Sequence, residues 1–273
     1  MTRRMPFLTV APNGASHGRK AHPAVPVTLE QITQSAVACH DAGAQAIHLH
    51  VRDDAGRHVL DPGLFNSTYA AVDHATGGGL WVQATSEAFG IFTPSDQRSL
   101  LDGLRVPCVS VALRELIPDP AHEAAAAKTL ARAVQRGMAI QYFLYQPSEI
   151  TRLHDLITRG IVPDESLDVL FALGHYTIGD TKPLMLVDFL SAWTAQPLAM
   201  RAEWSVCGFG RTETRALGVA MALGGKVRVG FENSFFMADG SIAPDNAARV
   251  AQIAELARMM GLPAAPTRPQ DTP

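Results

Sequence analysis

Ala44-Gln45-Ala46-Ile47-His48-Leu49-His50-Val51 is an apolar run with two histidines near its end, and it leads into Arg52-Asp53. Such a run fits a strand buried on both faces, as the strands of parallel sheets are. Side chains alternate along a strand, so His48 and His50 share one face. Two imidazoles side by side at a strand end offer two ligands to one metal ion. The bland reading is a pair of histidines satisfied by core hydrogen bonds.

Working outward, Thr28 caps a helix with Glu30 close behind it and a stripe of Ile32, Ala36, Val37 and Cys39, closed by Gly43. A short strand at 7–11 precedes it, ended by Pro12-Asn13-Gly14. Strand, helix, strand is how a parallel sheet begins. The alternation then repeats. Strands are predicted at 80–85, 108–113, 139–144, 167–173, 199–207 and 226–231. Helices follow from Asp61-Pro62, Thr93-Pro94, Pro120, Pro147-Ser148, Lys182-Pro183, Arg211 and Asn246. Eight strand–helix pairs in 273 residues match a (β/α)8 TIM barrel, which takes roughly 250 residues. No GxGxxG follows the first strand, which argues against a dinucleotide fold. No composition shift marks a linker, so a single barrel domain is expected over 1–262, with a loose Pro-rich tail at 263–273.

A hydrophobic content of 47% with 18% charged residues fits a large core. The net charge of −3, without a long basic stretch, argues against nucleic acid or an anionic membrane as partner. Cys39, Cys108 and Cys207 are widely spaced, with no disulfide or zinc-ribbon pattern, so a reducing cytoplasm is expected. No apolar segment is long enough to span a membrane.

Barrel chemistry gathers at the C-terminal strand ends. These nominate His48, His50, Arg52 and Asp53 from strand two, then Gln83, Thr85, Ser86 and Glu87 from strand three. Strands four to six add Ser110, Arg114, Glu115, Gln141, Tyr145 and His175; strand eight adds Arg228, Glu232 and Asn233. On strand eight Val227, Val229 and Phe231 form one face, and Arg228, Gly230 and Glu232 the other, toward the barrel interior. A buried carboxylate and guanidinium are costly unless paired or ligating. Although strand eight was expected some distance around the barrel from strand two, side chains converge on the axis. His48, His50 and Glu232 would then make an open His2Glu metal site; a metal-free Arg228–Glu232 pair is the plainer reading. Catalytic zinc sites use such a set, and the same set could hold iron, manganese or cobalt. Gly208-Phe209-Gly210-Arg211 sits where barrels bind phosphate, or simply where a strand becomes a helix. Cys207 reads as a buried structural cysteine. His17, His22, His58, His74, His122 and His154 read as solvated.

Three motifs in order carry a resemblance: Ala11-Pro12-Asn13-Gly14-Ala15, His48-Leu49-His50-Val51-Arg52-Asp53, and Val227-Arg228-Val229-Gly230-Phe231-Glu232-Asn233. Together they resemble the β-keto acid cleavage enzymes over nearly the whole chain. The resemblance implies a zinc-dependent TIM barrel that converts a β-keto acid and acetyl-CoA to acetoacetate and a new acyl-CoA. It implies His48, His50 and Glu232 as ligands, Arg228 as the active-site arginine, and Thr85, with Ser86 beside it, as the hydroxyl after strand three. Asn13, Arg114 and Asn233 join these as expected substrate contacts. A homo-oligomer, with a tetramer as one form, is implied too.

The chain departs from that pattern in its acid–base groups. Ser16 stands where the type enzyme has a glutamate, Asn233 where it has an aspartate, and Gln141 or Gln146 where an acid follows strand five. Glu87, Glu115 or a metal-bound hydroxide would have to replace them. Loss of the first-loop acid also implies a keto acid without an ammonium group. Two other readings compete: a metal-dependent hydrolase or carbon–carbon lyase that does not use CoA, and a non-catalytic metal barrel that binds acids or acyl-CoA.

Overall fold

The computed structural model describes residues 4–165, 167–175, 180–197 and 202–262. Eight parallel strands close into one barrel in sequence order. They are β1 (Leu8–Val10), β2 (Ala46–Leu49), β3 (Trp81–Thr85), β4 (Cys108–Ala112), β5 (Ala139–Leu144), β6 (Asp168–Leu173), β7 (Glu203–Gly208) and β8 (Lys226–Val229). Helices α1 (Leu29–Asp41), α2 (Pro62–Ala75), α3 (Pro94–Gly103), α5 (Glu123–Gln135), α6 (Ser148–Thr158), α7 (Met185–Thr194), α8 (Glu213–Ala222) and α9 (Asn246–Met259) form the outer ring. One extra turn of helix, α4 (Leu113–Leu116), ends the fourth strand a residue early. The helix expected from Pro120 opens as a 3-10 turn over Pro120–His122, capped by Asp119. Residues 199–201 of the seventh predicted strand and the tail at 263–273 lie outside the described residues.

Local chemistry explains the element starts. Thr28 and Thr93 form capping boxes with Gln31 and Asp96, and the Asp61 side chain caps α2 ahead of Pro62. The outward strand faces pack on the helices through Val10, Ile47, Val82, Val109, Val169 and Val227, among others.

Inside the barrel the side chains stack in layers, as barrel interiors do. Met5, Ala46, Trp81, Cys108 and Ala139 close the floor. Ala112, Phe143, Leu170, Ala172, Cys207 and Phe209 form an apolar cluster toward the mouth. Between them lies a polar layer of His48, Gln83, Ser110, Gln141, Asp168, Ser205 and Arg228, all buried. Closure leaves only β1 between β2 and β8. Strands two and eight are therefore near neighbours, not distant as the sequence reading placed them. In a closed barrel the last strand pairs with the first, so eight strands make a ring and not a row.

The eighth strand also ends two residues sooner than expected. Gly230 has φ +143°, and a β-carbon there would come within 2.3 Å of the Ala11 carbonyl oxygen. Ala11 N donates to Val229 O at 2.8 Å, and Glu232 N donates to Ala11 O at 3.0 Å. The chain thus folds over the end of β1, which only glycine permits at so close a backbone approach. Phe231 leaves the barrel wall for a separate cluster with Val25 and Ala243.

Candidate metal centre and its surroundings

His48 and His50 project from the end of β2 to one point, with 3.3 Å between their Nε2 atoms. Glu232 reaches the same point from the turn after β8. Its Oε2 lies 3.6 Å from His48 Nε2 and 3.4 Å from His50 Nε2. These are longer than normal N–H···O hydrogen bonds, and Oε2 has no hydrogen-bond partner. Among the described residues these three make a group whose donor atoms lie within 4.8 Å of one another, all buried.

Electrostatics favour a cation there. Burial pushes the imidazoles down, His48 to about 4 and His50 to about 3, against the pull of Glu232. Both rings are neutral at ordinary pH and keep a lone pair. Burial works to raise the Glu232 carboxyl, but Arg228 and the two imidazoles outweigh it and hold it well below the usual carboxylate range. Arg228 reaches Glu232 Oε1 at 2.9 Å and leaves Oε2 facing the histidines. Two neutral imidazoles and one carboxylate, their ligand atoms converging on one buried point, fit a divalent transition metal. The metal-free ion pair alone would leave Oε2 buried and unsatisfied.

Glu87 borders the centre, with Oε2 3.6 Å from His50 Nε2. Burial, then the charges of Glu232 and Glu115, push its carboxyl up to about 8. Glu87, His48 and Glu232 line a cavity at the barrel mouth together with Thr85, Ser110, Phe143, Tyr145 and His175. The Thr85 hydroxyl accepts from Glu87 N at 3.1 Å and from Ser110 Oγ at 3.3 Å.

The remaining nominated residues lie around this cavity in supporting positions. Asn13 donates to Pro26 O and His50 O and accepts from His50 N, so its amide is occupied in holding the first loop against the histidine strand. Ser86 donates to Ser110 O, behind the cavity wall. Glu115 accepts from Ala88 N at 2.9 Å and from Gln97 Nε2 at 3.3 Å, bracing the loop that carries Glu87. The Arg114 guanidinium lies 3.8 Å over the Tyr145 ring. Asn233 is buried beside Glu232, and neither end of its amide has a hydrogen-bond partner. Arg52 ties the first loop together by donating to the carbonyls of Gly14, Ala15 and His17. Asp53 turns outward to Arg57.

Several expectations are corrected. His58 and His22 are buried, not solvated. The His58 ring centroid is 5.0 Å from that of His50, and its Nε2 lies 2.9 Å from Glu87 O. His22 packs on Phe231 and Phe235. A lone loop histidine has no periodicity to betray such burial. The turn at 208–211 has no vacancy for phosphate: Gly210 N donates to Asn233 O, and Arg211 N donates to the Asp180 carboxylate at 2.6 Å. Gln141 does not reach the cavity but lies in the polar layer below it, whereas Gln146 is exposed.

The chain is similar to the 3-keto-5-aminohexanoate cleavage enzyme of Fusobacterium nucleatum subsp. nucleatum, with 27% identity over 93% of this chain and 92% of that protein. It is similar, at 26% identity over 95% of this chain and 90% of that one, to the 3-oxoadipate:acetyl-CoA acetyltransferase of Cupriavidus necator. Among solved structures, the binary complex of ObcA with oxaloacetate shares the fold with a TM-score of 0.66 and 15% identity, over 90% of this chain and 66% of that chain. The family model described as beta-keto acid cleavage enzyme matches residues 6–269. With that match over almost its entire length, the chain belongs to the β-keto acid cleavage enzyme family.

Proposed function

We propose that this protein condenses a β-keto acid with acetyl-CoA and cleaves the product to acetoacetate and a new acyl-CoA, at a zinc ion held by His48, His50 and Glu232. The observation that carries the metal is the convergence of three buried ligand atoms, with Glu232 Oε2 lacking any hydrogen-bond partner. Family membership and the acetyl-CoA-dependent relative support the reaction.

When bound, zinc would supply Lewis-acid polarisation of the β-keto carbonyl. The protein's part is proton transfer, charge and exclusion of water. Glu87 is the group placed to move a proton, beside the centre and inside the cavity. A cation shared with Glu232 would cancel part of the repulsion that keeps Glu87 protonated. Arg228 keeps Glu232 ionised and adds a fixed positive charge for a developing oxyanion. The atoms balance without water. Glu87 takes a proton from the keto acid's α-carbon, which bonds to the acetyl carbonyl carbon as the CoA thiolate leaves. The thiolate then takes the original keto acyl group as the α–β carbon bond breaks, the proton returns to the α-carbon of the acetoacetate, and the thioester energy is retained.

Ala112, Phe143, Ala172 and Phe209 make one side of the cavity apolar. With the exposed Ser16 in the first loop, this supports a keto acid whose side chain carries no ammonium group. Arg114, over the Tyr145 ring, and Asn233, beside Glu232, remain proposed substrate contacts, while Asn13, Ser86 and Glu115 act through the loops they hold. Exposed Leu184, Val187, Leu223 and Met259 on the outer surface support a homo-oligomer. Among the described residues no helix is long and apolar enough to cross a membrane.

The test is to follow a panel of β-keto acids with and without acetyl-CoA in metal-analysed protein. Acyl-CoA and acetoacetate formed together only when acetyl-CoA is present is the expected result. Consumption without acetyl-CoA would replace the proposal by a hydrolase or lyase, and absence of turnover across the panel by a binding protein.

A further inference from the structure

A line of buried amides runs from His48 across the polar layer of the barrel interior. His48 Nδ1 lies 2.7 Å from Gln83 Oε1. Gln83 Nε2 donates to Gln141 Oε1 at 3.0 Å. Gln141 Nε2 donates to Asp168 Oδ1 and to Ser205 Oγ, each at 2.8 Å. The other Asp168 oxygen accepts from Met5 N at 3.1 Å and has Lys226 Nζ at 3.7 Å. All four members of the line are at most 3% exposed. Strand register builds it, with His48 opposite Gln83 and Gln141 opposite Asp168.

The line has a direction, and the direction comes from its far end. An ionised carboxylate only accepts hydrogen bonds. Gln141 must therefore turn its NH2 group toward Asp168, which leaves its carbonyl toward Gln83. Gln83 must answer with its own NH2, which leaves its carbonyl toward His48. Nδ1 of His48 then carries the proton, and a neutral imidazole has only one. Side contacts agree: Gln83 Nε2 also faces the weak acceptors Met5 Sδ and Cys108 Sγ at 3.3 and 3.5 Å. Ser205 spends its own proton on Val169 O, so it can only accept from Gln141. Burial raises the Asp168 carboxyl to about 6, opposed by Lys226 and Gln141, so it is mainly ionised at neutral pH.

We propose that Gln83 and Gln141 are positioning residues through which Asp168, on the far side of the barrel interior, fixes His48 in the tautomer that presents an Nε2 lone pair to the metal. The inference rests on the metal reading above. With the line reversed, an N–H would oppose Nδ1 and the proton would move to Nε2, closing that nitrogen to a cation. Partners beyond the ligands commonly change metal affinity by about 10–100-fold.

The experiment labels histidine with 15N and reads the His48 tautomer by NMR in metal-free protein, then measures zinc affinity by chelator competition. The expected wild-type signal is a single Nδ1–H form. Gln83→Met and Asp168→Asn should show both tautomers and bind zinc about 10–100-fold more weakly. Gln83→Glu, which keeps an acceptor opposite Nδ1, should retain the tautomer. Ser205→Ala, which removes a branch and leaves the line intact, should retain both tautomer and affinity. A wild-type Nε2–H form, or wild-type tautomer and affinity in Asp168→Asn, would overturn the proposal. If the Met variant does not fold, the wild-type spectrum and the Asn variant still decide it. A fixed tautomer in a protein that binds no zinc would refute the metal reading and leave the line of amides standing.

Discussion

His48 and His50 lose their charge to burial before any cation arrives, and this determines how the centre should respond to acid. A solvated histidine pair would begin to exchange metal for protons near pH 6.5. Here the folded-state values are about 4 and about 3. Protons compete with the metal only as pH falls through those lower values. Zinc affinity is therefore expected to change little between pH 7 and 5 and to fall near pH 4; a drop centred on 6.5 in chelator titrations would contradict this. Removing a donor is more severe. His48→Ala should lose most of its zinc by elemental analysis, and a variant with a full complement would refute the site. Glu87→Gln should lower kcat by about 10²–10⁴-fold, the usual worth of a general acid–base group. Glu115→Gln should act more mildly, since its carboxylate braces a loop instead of facing the cavity. At this scale His-x-His was legible because a period of two puts both rings on one face. The amide line was not, because Gln83, Gln141 and Asp168 lie on separate strands and only register brings them together.

Among the elements, the turn after β8 does the most with the fewest residues. Gly230 lets the backbone pass against Ala11, and two residues later Glu232 arrives beside the histidines. Gly230→Ala would place a β-carbon into the Ala11 carbonyl in a region of φ that side chains rarely adopt. Such strain costs on the order of 1–3 kcal/mol. A lower melting temperature together with weaker zinc binding is expected, because relief of the clash moves Glu232. A variant less stable but with unaltered zinc affinity would separate the turn from the centre. Alternation along the sequence puts this glycine on the interior face of a continuing strand. Alternation of side chains told which way Glu232 faces, but nothing in a period of two announces where a strand stops.

Across the whole molecule, the eight-fold alternation of strand and helix was legible because each unit repeats its own turn and cap residues. Closure is part of the barrel expectation; what the strand-by-strand reading left out is that a closed ring brings β2, β1 and β8 side by side. A metal that binds only the closed barrel must stabilise it by mass action. Zinc at about 100 times its dissociation constant should add about 2.7 kcal/mol of apparent stability, reversed by chelator. Thermal melts over a zinc series would check this; a melting temperature indifferent to zinc would mean that the ion does not prefer the closed form.

That adjacency also sets a schedule. His48 and His50 leave the ribosome well before Glu232, so the nascent chain has two donors and no carboxylate until β8 and the turn after it emerge. The centre is completed only when the final strand docks against the first. On the proposed metal reading, loading would wait for the closed barrel, and occupancy of the site would report that the barrel has shut.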